Sequence, residues 1–106
     1  MQNDHQGLLI RGLVTDLFLH NKLKTTIKRA KLVKTKAEKL ITYSKTHDTV
    51  LTIRKLNSFL LNQKASKIII EELLPKYKDR SSGHVTMTNA GYRAGDAAPV
   101  CYLELI

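Results

Sequence analysis

The apolar residues of this chain recur with two different periods, and the order in which those periods alternate leaves few folds open. From residue 8 to about residue 20, Leu9, Ile10, Leu13, Val14, Leu17 and Phe18 return every third or fourth position, the stripe of an amphipathic helix. Residues 22–28 switch to period two, setting Leu23, Thr25 and Ile27 against Lys22, Lys24 and Thr26, and predict a short strand with a basic outer face. Helical spacing returns from residue 28 to about 45. There Ala30, Val33, Ala37, Leu40, Ile41 and Ser44 line one side, and Lys28, Lys31, Thr35 and Lys39 the other. Asp48 or Thr49 suits the cap of a third helix carrying Val50, Ile53, Leu56, Phe59 and Leu60 and ending near residues 62–64. Ser66 suits the cap of a fourth, shorter helix with Ile68, Ile69, Ile70, Leu73 and Leu74, which cannot continue far through Pro75. Period two then takes over in residues 84–88 and 99–106, joined by a wide hairpin connection holding Gly91 and Gly95. Helix, strand, three helices and two strands predict a two-layer α+β fold in which a small mixed sheet packs one face on the helices.

A chain of 106 residues, 42% of them apolar, can bury a modest core without metal or disulfide staples. It reads as a single domain over residues 1–106, with residues 1–7 as a short flexible N-terminal segment. The lone cysteine, Cys101, alternates with Leu103 and Leu105 and reads as a small buried hydrophobe, and one cysteine excludes an internal disulfide. No apolar stretch approaches the roughly 18 to 20 residues that span a bilayer, and the first residues lack the features of a cleaved export signal. No membrane insertion is expected.

The charge is lopsided. Lys and Arg number 18 against 9 Asp and Glu, a formal net charge of +9, which calls for a polyanionic partner. Nine of the 18 cations lie between residues 22 and 45, namely Lys22, Lys24, Lys28, Arg29, Lys31, Lys34, Lys36, Lys39 and Lys45, with Glu38 as the one acid among them. A strand and a helix that are basic together predict a surface that binds nucleic-acid phosphates. Tyr43, Tyr77 and Tyr92 are not spaced like a stacking platform, so recognition is expected to depend on shape and backbone.

Catalytic material is sparse. His5, His20, His47 and His84 stand far apart without cysteines or carboxylates at metal-ligand spacing, and read as surface or capping residues. Glu71 and Glu72 point to different sides of a helix, and Asp96 belongs to a glycine-flanked turn. Neither an enzyme, a cofactor, a metal site nor a small-molecule substrate is expected. Arg93, between Gly91 and Gly95, combines close backbone approach with a fork of donors that suits an RNA phosphate. An alternative is a free-standing basic DNA-binding regulator reading through the helix after Asp48, although that helix offers only Arg54 and Lys55 as cations.

Five stretches carry a resemblance. They are Leu9-Ile-Arg-Gly-Leu-Val-Thr-Asp-Leu-Phe-Leu-His20, Lys24-Thr-Thr-Ile-Lys-Arg-Ala-Lys31, Ala37-Glu-Lys-Leu-Ile-Thr42, Pro75-Lys-Tyr-Lys-Asp-Arg80 and Gly91-Tyr-Arg-Ala-Gly-Asp-Ala-Ala-Pro99. In this order they resemble the ribosomal protein L17 family of bacterial-type large subunits, in register from about residue 4 to residue 106. The resemblance implies a two-layer, non-enzymatic structural constituent of the large ribosomal subunit. It also implies binding to large-subunit rRNA beside neighbouring ribosomal proteins near the nascent-peptide exit, in a bacterial cytoplasm or a mitochondrial matrix. Motif positions carried over as RNA contacts are Arg11, Lys24, Lys28, Arg29, Lys31, Lys76, Lys78, Arg80 and Arg93, to which the charge pattern adds Lys22, Lys34 and Lys39. Family members usually start with a longer basic arm. Residues 2–6 are Gln-Asn-Asp-His-Gln here, so that anchoring contact is expected to be missing.

Overall fold

The computed structural model describes residues 2–80 and 83–106, with side chains described from Gly7 onward. Helix α1 spans Gln2–His20, strand β1 Lys22–Thr26, and helix α2 Ile27–Thr46. Helix α3 (Thr49–Phe59) follows, then a rod made of α4 (Gln63–Ile68), a π-helical turn (Ile69–Leu73) and α5 (Leu74–Lys76). Strands β2 (Val85–Tyr92) and β3 (Pro99–Leu105) close the chain. The expected order of elements holds. Residues 2–7 fall in the first turns of α1. Asn21 ends the helix: its φ of 69° is left-handed, and its N–H reaches the Leu17 carbonyl at 2.8 Å.

The three strands pair in the order β1-β3-β2, antiparallel throughout, where a mixed sheet was expected. The reason is topological. Strands β2 and β3 form a hairpin, and β1 adds to the far side of β3 with Leu23 opposite Leu103 and Thr25 opposite Cys101. These residues, with Leu105 and Val85, turn toward the helices, while Lys22, Lys24, Tyr102, Glu104, Thr86 and Thr88 occupy the other face. The core between the layers joins Val14, Leu17 and Phe18 of α1 to Ala30, Val33, Ala37, Leu40 and Ile41 of α2, with Leu56, Ile69, Tyr77 and the inward face of β3. Cys101 is buried there, and desolvation pushes its thiol pKa up.

Helix α2 buries the side its spacing assigned, but α3 is rotated from expectation. Val50 and Ile53 are exposed, and Thr52 takes the inward position with Leu56, its hydroxyl donating to the His47 carbonyl at 3.4 Å. Asp48 caps α3 by accepting from the Leu51 N–H at 2.8 Å. Asn62 does not close α3 but caps α4, accepting from the Lys64 N–H, and Ser66, expected as that cap, is buried within α4 and donates to Asn57. As expected, the rod does not run far past Pro75: it ends at Lys76. The N–H of Leu74 reaches back five residues to the Ile69 carbonyl, and this wider turn makes room for a proline that has no N–H to donate.

Candidate nucleic-acid interface

The cations of the basic segment fall into groups that the fold separates. Strand β1 alternates, so Lys22 and Lys24 stand on the outer face of the sheet beside Tyr102, their ammonium groups 4.5 and 5.8 Å from its ring centroid. The cations of α2 stand on the outside of the helix layer. Lys28, Arg29, Lys31, Lys36 and Lys39 are exposed, and Lys34 is half-buried at the flank. From Lys28 to Lys39 the helix rises about 17 Å, and that is the length of the cationic track on this side. The strand cations and the helix cations thus occupy two faces that adjoin at one end. The two groups meet only where β1 runs directly into α2 at Thr26.

At that end Lys24, Lys28 and Arg29 converge with Arg93 from the β2–β3 connection. Arg93 is held: its Nε donates to Asp96 Oδ1 at 3.1 Å and its Nη2 to Asp96 Oδ2 at 2.5 Å, while its backbone bonds Ala97 and Ala98. The Arg93 guanidinium, helped by the Ala98 N–H, holds the Asp96 carboxyl down at about 2. The residues expected at 76–80 gather at the opposite end of α2. Lys76, Lys78 and Arg80 are exposed, with Lys76 near the Tyr77 ring and Arg80 donating from Nε to the Gly83 carbonyl at 3.0 Å.

One of the expected contacts, Arg11, also bonds within the protein. Arg11 donates from Nε to the Phe59 carbonyl at 2.7 Å and from Nη2 to the Ser58 carbonyl at 3.2 Å, satisfying acceptors at the end of α3. Thr15 adds to the same junction by accepting from the Leu61 N–H at 3.0 Å. Replacing Arg11 by Ala should lower stability by about 1–3 kcal/mol, because both bonds are charge-assisted. A thermal melt checks this, with Arg11→Lys failing to restore the fork. Lys45, counted in the basic segment, turns inward to the Arg80 carbonyl and to His84.

His84 is the residue that sequence reasoning placed wrongly. It is fully buried, not a surface or capping residue, because Glu38 of α2 receives it. Glu38 accepts from the His84 ring at 2.7 Å and from the backbone N–H groups of His84 and Val85 at 2.9 and 3.1 Å. The Lys45 ammonium has only protons to offer, so the His84 Nε2, 3.2 Å away, is the acceptor and Nδ1 carries the proton toward Glu38. Desolvation pushes the Glu38 carboxyl upward, but the hydrogen bonds from the His84 ring, the His84 N–H and the Val85 N–H outweigh it and leave the pKa below its ordinary value. The only hint in the sequence was a single acid among nine cations.

Among the described residues no group of three His, Cys, Asp or Glu side chains is placed to hold a metal ion, and no helix is long and apolar enough to cross a membrane. A small α+β body with a cationic track along one long helix is a polyanion-binding protein in its physical make-up. Residues 9–106 match the family described as ribosomal protein L17. The chain belongs to that family, whose members are structural and not enzymes. It is 35% identical over 106 residues, all of this chain and 94% of the relative, to the large ribosomal subunit protein bL17 of Desulforudis audaxviator. Identity is 38% over 102 residues to that of Alkaliphilus metalliredigens, covering 96% and 89% of the two chains. The protein of the same name in Moorella thermoacetica is 35% identical over 102 residues, covering 96% and 90%.

Proposed function

We propose that this chain is a structural constituent of the large ribosomal subunit that binds rRNA along the exposed side of α2. The track of Lys28, Lys31 and Lys39 carries this reading. It lies opposite the buried stripe, so it can neutralise phosphates without disturbing the core. Lys34 lies on its flank, Lys24, Arg29 and Arg93 extend it at one end, and Lys76, Lys78 and Arg80 at the other. Lys22 stands on the sheet face and would serve a second RNA segment or a neighbouring protein. The place we assign it is near the nascent-peptide exit beside other large-subunit proteins, in a bacterial cytoplasm or a mitochondrial matrix.

The DNA-regulator alternative draws no support from α3. That helix exposes Val50, Leu51 and Ile53, and the ammonium of Lys55, one of its two cations, lies 5.6 Å from the Tyr43 ring centroid. A major-groove reader needs polar side chains reaching base edges. Density-gradient separation of a cell extract, probed for this chain, should place nearly all of it with large subunits. Recovery mainly in the free or DNA-bound fractions would refute the ribosomal assignment.

A further inference from the structure

Between α1, the start of α2 and the β2–β3 connection lies a cleft that a phosphate track does not require. One part, about 310 Å3, has Leu9, Ile10 and Leu32 as apolar lining beside Lys28, Arg29 and Arg93. A second part, about 620 Å3, runs on past Arg29 and Arg93 to Lys24, Tyr92, Leu13 and Val100. Neutralising a duplex backbone needs cations alone. Apolar walls and a ring are what a base plane needs once it has left its stack.

We propose that this cleft receives a single unpaired nucleotide of the bound RNA, a recognition mode that rests on the rRNA-binding reading above. Tyr92 is 76% exposed, far more than a tyrosine that packs into its own fold. Gly91, at φ 93° within the bulge between Asn89 and Tyr92, sets the strand direction just before it. The neighbouring Arg93 is fixed in orientation by its ion pair with Asp96. Its guanidinium is held with Nε and Nη2 donating to Asp96, on a half-exposed side chain that lines the cleft. A fixed guanidinium plane beside a tyrosine ring stacks on a base. Lys24, Lys28 and Arg29 rim the cleft at positions suited to the phosphates on either side of that nucleotide. A peptide occupant finds less to bind, since the rim is cationic on both sides of the apolar lining.

The test uses large subunits isolated from cells in which the chain carries p-benzoylphenylalanine at position 92, or Tyr92→Ala, or Tyr92→Phe. Irradiation should crosslink position 92 to one rRNA nucleotide that lies outside any base pair. In Tyr92→Ala subunits the 2′-hydroxyl acylation of that nucleotide should rise roughly tenfold, the scale of one lost base stack, and Tyr92→Phe should keep it protected. A crosslink to a protein or to a base-paired nucleotide, no crosslink, or unchanged acylation in Tyr92→Ala subunits overturns the nucleotide assignment while leaving rRNA binding in place. If the chain is missing from large subunits altogether, the ribosomal reading fails first and takes this proposal with it.

Discussion

Replacing Lys28, Lys31 and Lys39 together by Gln should lower affinity for an rRNA fragment roughly hundredfold or more at about 0.1 M salt, with an unchanged circular dichroism spectrum. Each phosphate contact contributes about 0.7 to 0.9 to the slope of log affinity against log salt, so losing three flattens that slope by about 2 to 3. Near 0.1 M salt one unit of slope is about a factor of ten in affinity relative to 1 M. The fold should tolerate the change, because all three side chains are exposed and Gln is nearly as good a helix former as Lys. The comparison that gives the result meaning is Lys22→Gln with Lys24→Gln, which removes charge from the outer face of the sheet. If α2 carries the interface, that pair flattens the slope less than the helix triple does. A triple variant with the parent salt slope, or a larger loss from the sheet pair, would move the interface off α2.

How far the sequence foretold this surface depends on the kind of information each feature needs. The stripe of α2 is legible because Ala30, Val33, Ala37, Leu40, Ile41 and Ser44 repeat at helical spacing over about four turns, and every one of them is buried. In α3 the same logic misled. Val50 and Ile53 are more apolar than Thr52, yet the inward position went to the threonine, whose hydroxyl finds the His47 carbonyl. Proline at 75 marks the near end of the fourth helix, and the rod does end one residue later, but the π geometry of the turn before it leaves no mark in composition. For the site, charge density singles out α2 but not the direction of each cation. That direction depends on which face of the sheet meets the helices, and so on the pairing of Leu23 with Leu103, 80 positions away. Arg11 shows the same limit: nothing in its motif position indicates that its donors reach the end of α3.

The Glu38 and His84 pair, 46 positions apart, sets the second large effect. Glu38→Ala should destabilise the fold by about 3–5 kcal/mol, because it strands the His84 ring proton and the N–H groups of His84 and Val85. A domain of this size has only about 5–15 kcal/mol of stability, so the melting temperature should drop by more than about 10 °C. Glu38→Gln keeps an acceptor oxygen but loses the charge, and should fall between the two. The pH dependence follows from the direction of the carboxyl shift. A pKa lowered by folding means that the folded state binds the proton more weakly than the unfolded chain, so the contribution of Glu38 is complete above the ordinary value of 4.5. It disappears as the pH falls through that value toward the folded pKa, where protonation removes the charged acceptor. Urea titrations at pH 7 and again below pH 4 should therefore show the gap between the parent chain and Glu38→Gln closing on acidification. A gap that stays constant, or a Glu38→Ala variant within about 1 kcal/mol of the parent at pH 7, would mean that α2 and β2 are joined by their apolar contacts and not by this carboxylate.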